Sequence, residues 1–183
     1  MNKCKLRKEL KSLRNHFSQE QVNYSSEIIA DFILQSNCYQ QAQNIMGYLA
    51  FGKEISVDKV LRQALKDEKR VFIPYILSKT EMCAAEIIDF EHFSYDKFGI
   101  RTVQRPECII NEYLLDFILV PGVAFAEDGS RMGMGAGYYD RFLLKCSKAV
   151  TCGVAYQSLM QNILPADSHD IYMDYLVSEK GFF

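Results

Sequence analysis

The sequence predicts an α/β fold, a mostly parallel β-sheet covered by helices on both faces. Short apolar runs that suit strands alternate along the chain with segments of helical periodicity, as is typical of parallel sheets. These runs are apolar almost throughout, which indicates strands buried on both faces. Hydrophobic residues make up 49% of the sequence and charged residues 24%, close to the average of globular domains. Because the chain has 183 residues, we expect a single domain spanning residues 1–183.

Two amphipathic helices are expected at the amino end. Leu6, Leu10 and Leu13 recur at spacings of four and three residues, which places them on one face of a helix. Ser18 followed by Gln21 has the spacing of a capping box and marks the start of a second helix. The apolar stripe of this helix comprises Val22, Ile28, Ile29 and Phe32.

Strands and helices then alternate along the chain. We expect strands at residues 45–51, 71–76, 82–88, 115–120 and 149–155. We expect helices at residues 57–65, capped by Ser56, from Tyr138 to near Ser147, and at residues 158–164. The stretch 90–109 is predicted to be irregular, and we place its aromatic residues Phe93, Tyr95 and Phe98 in the core rather than in a pocket.

Composition and charge exclude several classes of protein. The 21 basic and 23 acidic residues give a net charge of −2, so the chain lacks the positive field of a nucleic-acid-binding protein. Its longest apolar stretch, residues 114–126, contains Asp116 and is shorter than the ~20 residues of a membrane span. Six cysteines without a C-x-x-C motif argue against zinc, iron–sulfur and redox sites, and fit small buried apolar side chains in a reducing cytosol. We therefore expect a cytoplasmic protein that binds neither nucleic acid nor membranes.

A glycine-rich loop carries the clearest chemical signal. Glycines at positions 129, 133, 135 and 137 place four of the ten glycines within nine residues, between a predicted strand and a predicted helix. Glycine permits positive φ and lets main-chain N–H groups approach a ligand, and the start of a helix offers further unpaired amides. This arrangement predicts an anion site, most often one for phosphate. The loop matches neither G-x-x-x-x-G-K-[ST] nor G-x-G-x-x-G, since Tyr138 stands where the third glycine of the latter would fall.

Charged and aromatic side chains flank this loop. Arg131 stands at its mouth and can hold a phosphate bidentately. Asp140 falls in the first turn of the following helix, where a carboxylate either favours the helix dipole or holds magnesium against the phosphates. Tyr138 and Tyr139 either belong to the core or form the wall of a pocket for a flat heterocycle. A flexible loop capped by an aspartate is the simpler alternative.

Two further features have both a structural and a functional interpretation. Six of the seven charged residues from Lys3 to Arg14 are basic, and Lys3 and Arg7 lie four residues apart on one side of the first helix. Such a run is either a solvated surface or part of a polyphosphate clamp. Glu54 follows a predicted strand and is either a loop charge or a hydrogen-bond acceptor for a polar ligand group.

A polar cluster near the carboxyl end contains His169, Asp170 and Asp174. We expect the histidine to be an ordinary surface or core residue. Asp170 is the better candidate for a site, because a second carboxylate would complement Asp140 in binding magnesium.

Together these segments resemble the 5-formyltetrahydrofolate cyclo-ligase family, also called methenyltetrahydrofolate synthetases. The resemblance spans nearly the whole chain, and its most specific part is VPGVAFAEDGSRMGMGAGYYD at residues 120–140. Its other parts are Lys3-x-x-x-Arg7, the stretch from Leu49 to Glu54-Ile55, and the late GVAYQ, LP and HD segments. It implies an ATP- and Mg²⁺-dependent ring closure of 5-formyltetrahydrofolate to 5,10-methenyltetrahydrofolate, with release of ADP and phosphate. In the family mechanism, phosphorylation of the formyl oxygen makes it a good leaving group for attack by the tethered N10.

The resemblance also implies roles for individual residues. Catalytic roles fall to Arg131 and Lys3. ATP would contact Lys3, Arg7, Arg131, Met132, Gly133, Met134, Gly135, Ala136, Gly137, Tyr138 and Tyr139. The folate would contact Leu49, Glu54, Met134, Gly135, Ala136, Gly137 and Tyr138. Magnesium would be held by Asp140 and Asp170.

Two other functions remain open at this point. A non-catalytic relative would bind nucleotide or folate and regulate a partner, and it would show binding without turnover. Nucleic-acid binding through the basic first helix is the weaker alternative, because the net charge is −2 and no broader basic patch accompanies the helix. For the enzyme we expect a monomer.

Overall fold

The computed structural model describes residues 2–95, 99–165, 167 and 170–183 of the chain. The helices are α1 (Lys3–Asn15), α2 (Gln19–Gln35), α3 (Asn37–Gln41), α4 (Asp58–Lys66) and α5 (Tyr138–Leu143). The strands are β1 (Asn44–Met46), β2 (Arg70–Ile76), β3 (Met82–Ile87), β4 (Ser94–Tyr95), β5 (Arg101–Thr102), β6 (Ile109–Ile110), β7 (Phe117–Pro121), β8 (Ala124–Phe125), β9 (Arg131–Met132), β10 (Val150–Val154), β11 (Tyr175–Ser178) and β12 (Gly181–Phe182).

The main sheet has the strand order β12-β11-β10-β7-β1-β2-β3-β6. Its central strands β11, β10, β7, β1 and β2 run parallel to one another. The edges are antiparallel, through the pairs β2–β3, β3–β6 and β11–β12. Two short ribbons, β4–β5 and β8–β9, lie outside this sheet. The carboxyl ends of the parallel strands therefore share one edge, and the site described below lies there.

Both faces of the sheet are covered by helices. Successive strand residues point to opposite sides, so each face carries apolar side chains against which helices pack. Ile45 and Phe117 belong to one apolar cluster with side chains of α1, α2 and α4. Met46 and Ile118, their chain neighbours, belong to a second cluster with Phe142 of α5. The predicted α/β fold with a mostly parallel sheet is confirmed.

Helix α1 forms as predicted, but its buried face differs from the predicted one. Leu6 and Leu10 are each 5% exposed, whereas Leu13 is 55% exposed and the prediction for it is wrong. The buried position at that end of the helix is taken by Arg14, which is 4% exposed and has a carboxylate partner inside the molecule.

Helix α2 begins with the predicted capping box. The Ser18 hydroxyl accepts a hydrogen bond from the Gln21 amide at 3.1 Å, and the Ser18 amide donates to the Gln21 side chain at 2.8 Å. The predicted stripe is only partly correct, since Phe32 is exposed and Ile33 is buried in its place. Of the other stripe residues, Val22 and Ile29 are buried and Ile28 is half-buried.

Two predicted elements are shorter in the structure. The strand expected at 45–51 ends at Met46, because the chain then folds back and the Tyr48 hydroxyl donates a hydrogen bond to the Ile55 carbonyl at 2.8 Å. The helix expected at 158–164 is reduced to a 3₁₀ turn at Gln157–Leu159. Its continuation is prevented at Gln161, whose amide donates to the Phe125 carbonyl of β8 at 2.9 Å.

Several predicted boundaries shift, and some elements were not predicted at all. Helix α4 begins at Asp58, and its N-cap is Val57 rather than the predicted Ser56. The Ser56 hydroxyl accepts a hydrogen bond from the Asp58 amide at 3.2 Å. Helix α5 ends at Leu143 rather than near Ser147. The ribbons β4–β5 and β8–β9, helix α3 and strands β6, β11 and β12 had no predicted counterpart. Phe93 packs against the core as expected, whereas Tyr95 is 69% exposed. Phe98 and His169 lie outside the described residues.

The cysteines occupy several environments. All six are free thiols; Cys83, Cys146 and Cys152 are buried as expected, Cys38 and Cys108 are half-buried, and Cys4 is exposed. None of the helices in the described part of the chain has the length and apolarity that a bilayer span requires.

Candidate functional site

A narrow pocket opens at the carboxyl edge of the central strands. It is lined by Arg14 of α1, Tyr48 and Glu54 from the segment after β1, Gly122 after β7 and Tyr156 after β10. The parallel pairing of β1, β7 and β10 brings these segments together, although they are far apart in the sequence. Open α/β sheets bind ligands at this edge.

The glycine loop, residues 133–137, follows the β8–β9 ribbon and leads into α5. Gly135 has φ +101° and Gly137 has φ +68°, conformations that favour glycine because it lacks a Cβ atom. Among the residues that the structure describes, none accepts a hydrogen bond from the amides of residues 134–137. These main-chain donors therefore remain available to a ligand.

Three guanidinium groups surround this loop, one beside each of its three glycines. A Cβ atom at Gly133 would lie 2.8 Å from Arg131 Nη1, and one at Gly135 would lie 3.3 Å from Arg7 Nη1. A Cβ atom at Gly137 would lie 2.6 Å from Nη1 of Arg141. The glycines thus leave room for cations against the backbone, and positive charge with free amides is what a polyphosphate requires.

Arg131 supports the loop from inside rather than standing at its open mouth. Its side chain is 5% exposed and is ion-paired with Asp140 at 2.6 Å. Arg131 Nη1 also donates to the Pro121 carbonyl at 3.3 Å, and the guanidinium lies 5.5 Å from the centre of the Tyr139 ring. The arginine therefore joins the end of β7 to the first turn of α5.

Helix α1 presents three cations to the carboxyl edge of the sheet. At ~100° per residue, Lys3, Arg7 and Arg14 fall within ~40° of one another around the helix. Arg7 Nε donates to the Gly133 carbonyl at 2.8 Å, and Arg14 is paired with Glu54. The predicted basic run therefore divides into this inward row and a solvated outer face that includes Lys8 and Lys11.

Lys3 is held between two carboxylates of the late polar cluster. Its Nζ donates to Asp167 at 2.8 Å and to Asp170 at 2.5 Å. Burial lowers the pKa of Lys3, but these two hydrogen bonds more than offset the effect and the pKa is raised. Lys3 is therefore a firmly held positive charge. Asp174 lies elsewhere, at the amino end of β10, where it accepts hydrogen bonds from the Thr151 amide and hydroxyl at 2.8 Å each.

The two predicted metal ligands are placed by different elements. Asp140 lies on α5 and pairs with Arg131, whereas Asp170 pairs with Lys3. Within the described ranges no group of three or more His, Cys, Asp or Glu side chains is arranged to hold a metal ion. Magnesium commonly uses only one or two protein carboxylates together with water and substrate phosphates, so a pair of aspartates fits its chemistry.

Glu54 is fixed at the pocket by two different partners. Its Oε1 lies 3.5 Å from Arg14 Nη2, and its Oε2 accepts a hydrogen bond from the Phe51 amide at 3.1 Å. Leu49, the other predicted folate contact on this segment, is 6% exposed.

Buried tyrosine hydroxyls lie close to this carboxylate. Burial raises the pKa of Tyr48 and of Tyr139, and the charge of Glu54 raises both further. The Tyr139 hydroxyl has no hydrogen-bond partner in the described part of the chain. The Tyr139 ring packs beside the guanidinium of Arg131, whose charge lowers the pKa of Tyr139 and so opposes part of this increase.

Two residues of the site were missed by the sequence analysis. Arg141 donates to the Ala136 carbonyl at 2.8 Å and to the Thr80 carbonyl at 2.7 Å, so it joins the loop to the β2–β3 turn. Arg14 is the second missed residue, and its spacing of seven residues from Arg7 was the available signal.

Tyr138 was predicted either as a core residue or as the wall of a pocket. It is half-buried, and its hydroxyl donates a hydrogen bond to the Ser78 carbonyl in the β2–β3 turn at 3.0 Å.

Comparison with known proteins identifies the family of this chain. Residues 1–179 match the 5-formyltetrahydrofolate cyclo-ligase family. A probable 5-formyltetrahydrofolate cyclo-ligase of Caenorhabditis elegans is 30% identical over 97% of this chain and 92% of its own, and the 5-formyltetrahydrofolate cyclo-ligase of Mus musculus is 27% identical over 96% and 93%. The NMR structure of Aquifex aeolicus 5,10-methenyltetrahydrofolate synthetase superposes with a TM-score of 0.88 at 31% identity, covering 100% of this chain and 92% of the other. The chain therefore belongs to the 5-formyltetrahydrofolate cyclo-ligase family.

Proposed function

We propose that this protein closes 5-formyltetrahydrofolate to 5,10-methenyltetrahydrofolate while ATP is converted to ADP and phosphate. The observation that carries the proposal is the position of the glycine loop, with its free amides and three neighbouring guanidinium groups, beside the Glu54 pocket. Membership of the cyclo-ligase family supports the same reaction.

The triphosphate of ATP is proposed to bind at the glycine loop. Arg7 and Arg141 neutralise its charge, and the amides of residues 134–137 donate hydrogen bonds to its oxygens. Arg131 keeps the loop in shape through Asp140, and Lys3 supplies a further positive charge. The remaining residues of the stretch 131–139 would complete the nucleotide site.

Magnesium is proposed to bind at Asp140 and Asp170. Their carboxylate oxygens are hard ligands, and when bound the ion would neutralise part of the phosphate charge. Each carboxylate is already paired with a cation of the chain, Arg131 or Lys3. Magnesium therefore has to share or replace those partners.

The folate is proposed to lie between Glu54 and the exposed part of the loop. Glu54 accepts a hydrogen bond from a polar group of the ring system, and Leu49 packs beside it. The loop residues Met134, Gly135 and Ala136 are exposed on the opposite side. Such an arrangement holds the formyl group near the triphosphate, so the catalytic contribution is mainly positioning and charge neutralisation.

A direct assay tests this function. The protein is incubated with 5-formyltetrahydrofolate, ATP and Mg²⁺, and the absorbance of 5,10-methenyltetrahydrofolate is followed together with ADP release. We expect equal amounts of both products, and no product when either ATP or Mg²⁺ is omitted. Folded protein that binds both ligands in a calorimeter without forming product would instead identify a non-catalytic, regulatory relative.

We propose that the protein is a monomer, acts in the cytoplasm and has no nucleic-acid partner. Light scattering after size-exclusion chromatography measures the molecular mass against the 21.1 kDa of one chain. Salt-sensitive binding to DNA or RNA would contradict the last expectation.

A further inference from the structure

We propose that Arg14 is a positioning residue for substrate recognition, which fixes the carboxylate of Glu54 in the geometry that the folate requires. The inference rests on the proposed function and assigns a role to an arginine outside the nucleotide-binding loop. Arg14 is 4% exposed and lies on the last turn of α1, where it lines the same pocket as Glu54.

The two oxygens of Glu54 are held from opposite sides. Oε1 faces Arg14 Nη2 at 3.5 Å, and Oε2 accepts the Phe51 amide at 3.1 Å. The side chains of Arg14 and Glu54 are only 5% and 16% exposed. At this depth little water reaches the carboxylate, so its orientation is set by the protein groups that contact it. Without Arg14, the carboxylate of Glu54 would be held only through Oε2. The group could then rotate, and Oε1 would no longer point in a fixed direction as a hydrogen-bond acceptor.

Arg14 is itself fixed by the end of a sheet strand. Its Nη1 donates to the carbonyl of Gly122 at 3.2 Å, directly after β7. The guanidinium thus joins three segments that meet at the carboxyl edge, namely α1, the segment after β1 and the end of β7. Its Nε is buried and has no hydrogen-bond partner among the described residues. Because Arg14 lines the pocket beside Glu54, this N–H group is placed to donate a hydrogen bond to a polar group of a bound ligand.

The position of Arg14 also separates its role from that of Arg7. Both project from the same side of α1, but Arg7 contacts the glycine loop whereas Arg14 contacts Glu54. Loss of Arg14 should therefore weaken folate binding and leave ATP binding nearly unchanged. A purely structural role would affect both ligands together.

The test compares Arg14→Leu, Arg14→Lys, Glu54→Gln and the double variant Arg14→Leu/Glu54→Gln. We measure KM for both substrates, kcat, and the Kd of 5-formyltetrahydrofolate without ATP. Arg14→Leu is expected to raise KM and Kd for the folate about tenfold or more while KM for ATP changes less than about twofold. Arg14→Lys should restore part of the loss, and it is the informative variant if Arg14→Leu does not fold. The double variant should bind folate no worse than Glu54→Gln alone.

Arg70→Leu serves as the matched control, since it removes the Arg70–Glu86 pair at the start of β2. We expect it to lower stability without changing either KM. Equal losses of folate and ATP binding in Arg14→Leu, or additive losses in the double variant, would overturn the role of Arg14. If wild-type protein binds the folate but does not cyclise it, the proposed function fails while the Kd values still test Arg14. Wild-type protein that neither binds nor cyclises the folate would overturn both.

Discussion

Arg7 Nε donates a hydrogen bond of 2.8 Å to the carbonyl of Gly133, across 126 positions of the sequence. This contact joins the first helix to the glycine loop and leaves the Arg7 guanidinium beside Gly135. The loop therefore depends on α1 both for its shape and for part of its positive charge. The contact also shows how part of the basic run at the amino end reaches the glycine loop in the second half of the chain.

Replacement of Arg7 by alanine should raise KM for ATP. A charge-assisted contact contributes about 1.5–3 kcal/mol, which corresponds to a change of roughly 10- to 160-fold. Steady-state kinetics at saturating 5-formyltetrahydrofolate measures the effect. Lys8→Ala is the control, because Lys8 is a basic residue on the exposed face of the same helix. A similar loss in both variants would mean that only the overall charge of the helix matters.

Replacement of Gly135 by alanine should impair nucleotide binding more than folding. Its φ of +101° disfavours any side chain, and the added Cβ would lie 3.3 Å from Arg7 Nη1. Gly181→Ala imposes similar backbone strain at φ +109° at the start of β12, with only Phe32 nearby at 3.9 Å. We expect comparable decreases in Tm for both variants, but a weaker Kd for ATP only in Gly135→Ala. Unchanged ATP affinity in Gly135→Ala would place the phosphates elsewhere.

Replacement of Arg131 by glutamine should lower both stability and ATP use. The Arg131–Asp140 pair is largely buried, so removal of the arginine leaves a carboxylate without its partner, at a cost of about 3 kcal/mol or more. Thermal unfolding should then shift downward by roughly 6 °C or more. Lys5→Gln, which breaks an exposed pair with Glu9, is expected to leave Tm almost unchanged. Full stability of Arg131→Gln would show that the loop does not need this internal support.

Stability should decrease in acid partly through Glu86. The hydrogen bond from Arg70 lowers the pKa of this carboxyl below its ordinary value of 4.5. A group whose pKa is lowered in the folded state stabilises that state above the ordinary pKa, and the contribution is lost as the pH falls through the lowered value. Urea unfolding between pH 7 and pH 3 should therefore show a smaller decrease in the free energy of unfolding for Glu86→Gln than for wild type. Parallel pH curves for the two proteins would contradict this assignment.

Local sequence patterns were sufficient to predict the framework of the fold and the position of the glycine loop. The capping box at Ser18 and Gln21 depends only on neighbouring residues, and it forms as predicted. The clustered glycines likewise depend on local backbone geometry, and Gly135 and Gly137 adopt the expected positive φ. The alternation of strand-like and helix-like segments was sufficient to predict the mostly parallel sheet, because its central strands are buried on both faces and are therefore apolar throughout.

The errors arose where distant contacts override local periodicity. Leu13 continues an apolar spacing but is exposed, because Arg14 is drawn inward by Glu54, 40 positions later. The predicted helix at 158–164 fails because Gln161 pairs with the backbone of Phe125. Arg131 was expected at the mouth of the loop, and only the position of Asp140 on α5 shows why it lies inside. The spacing of residues along one segment does not predict which distant residue will form such an ion pair or hydrogen bond.

The most direct measurement is an NMR titration of ¹⁵N-glycine-labelled protein with ATP and Mg²⁺. The chain contains ten glycines, so each amide can be followed separately. If the glycine loop binds the triphosphate, the amide signals of Gly133, Gly135 and Gly137 will shift most, while Gly52 and Gly181 stay unchanged. ATP binding that leaves the three loop signals in place and shifts others would contradict the proposed site.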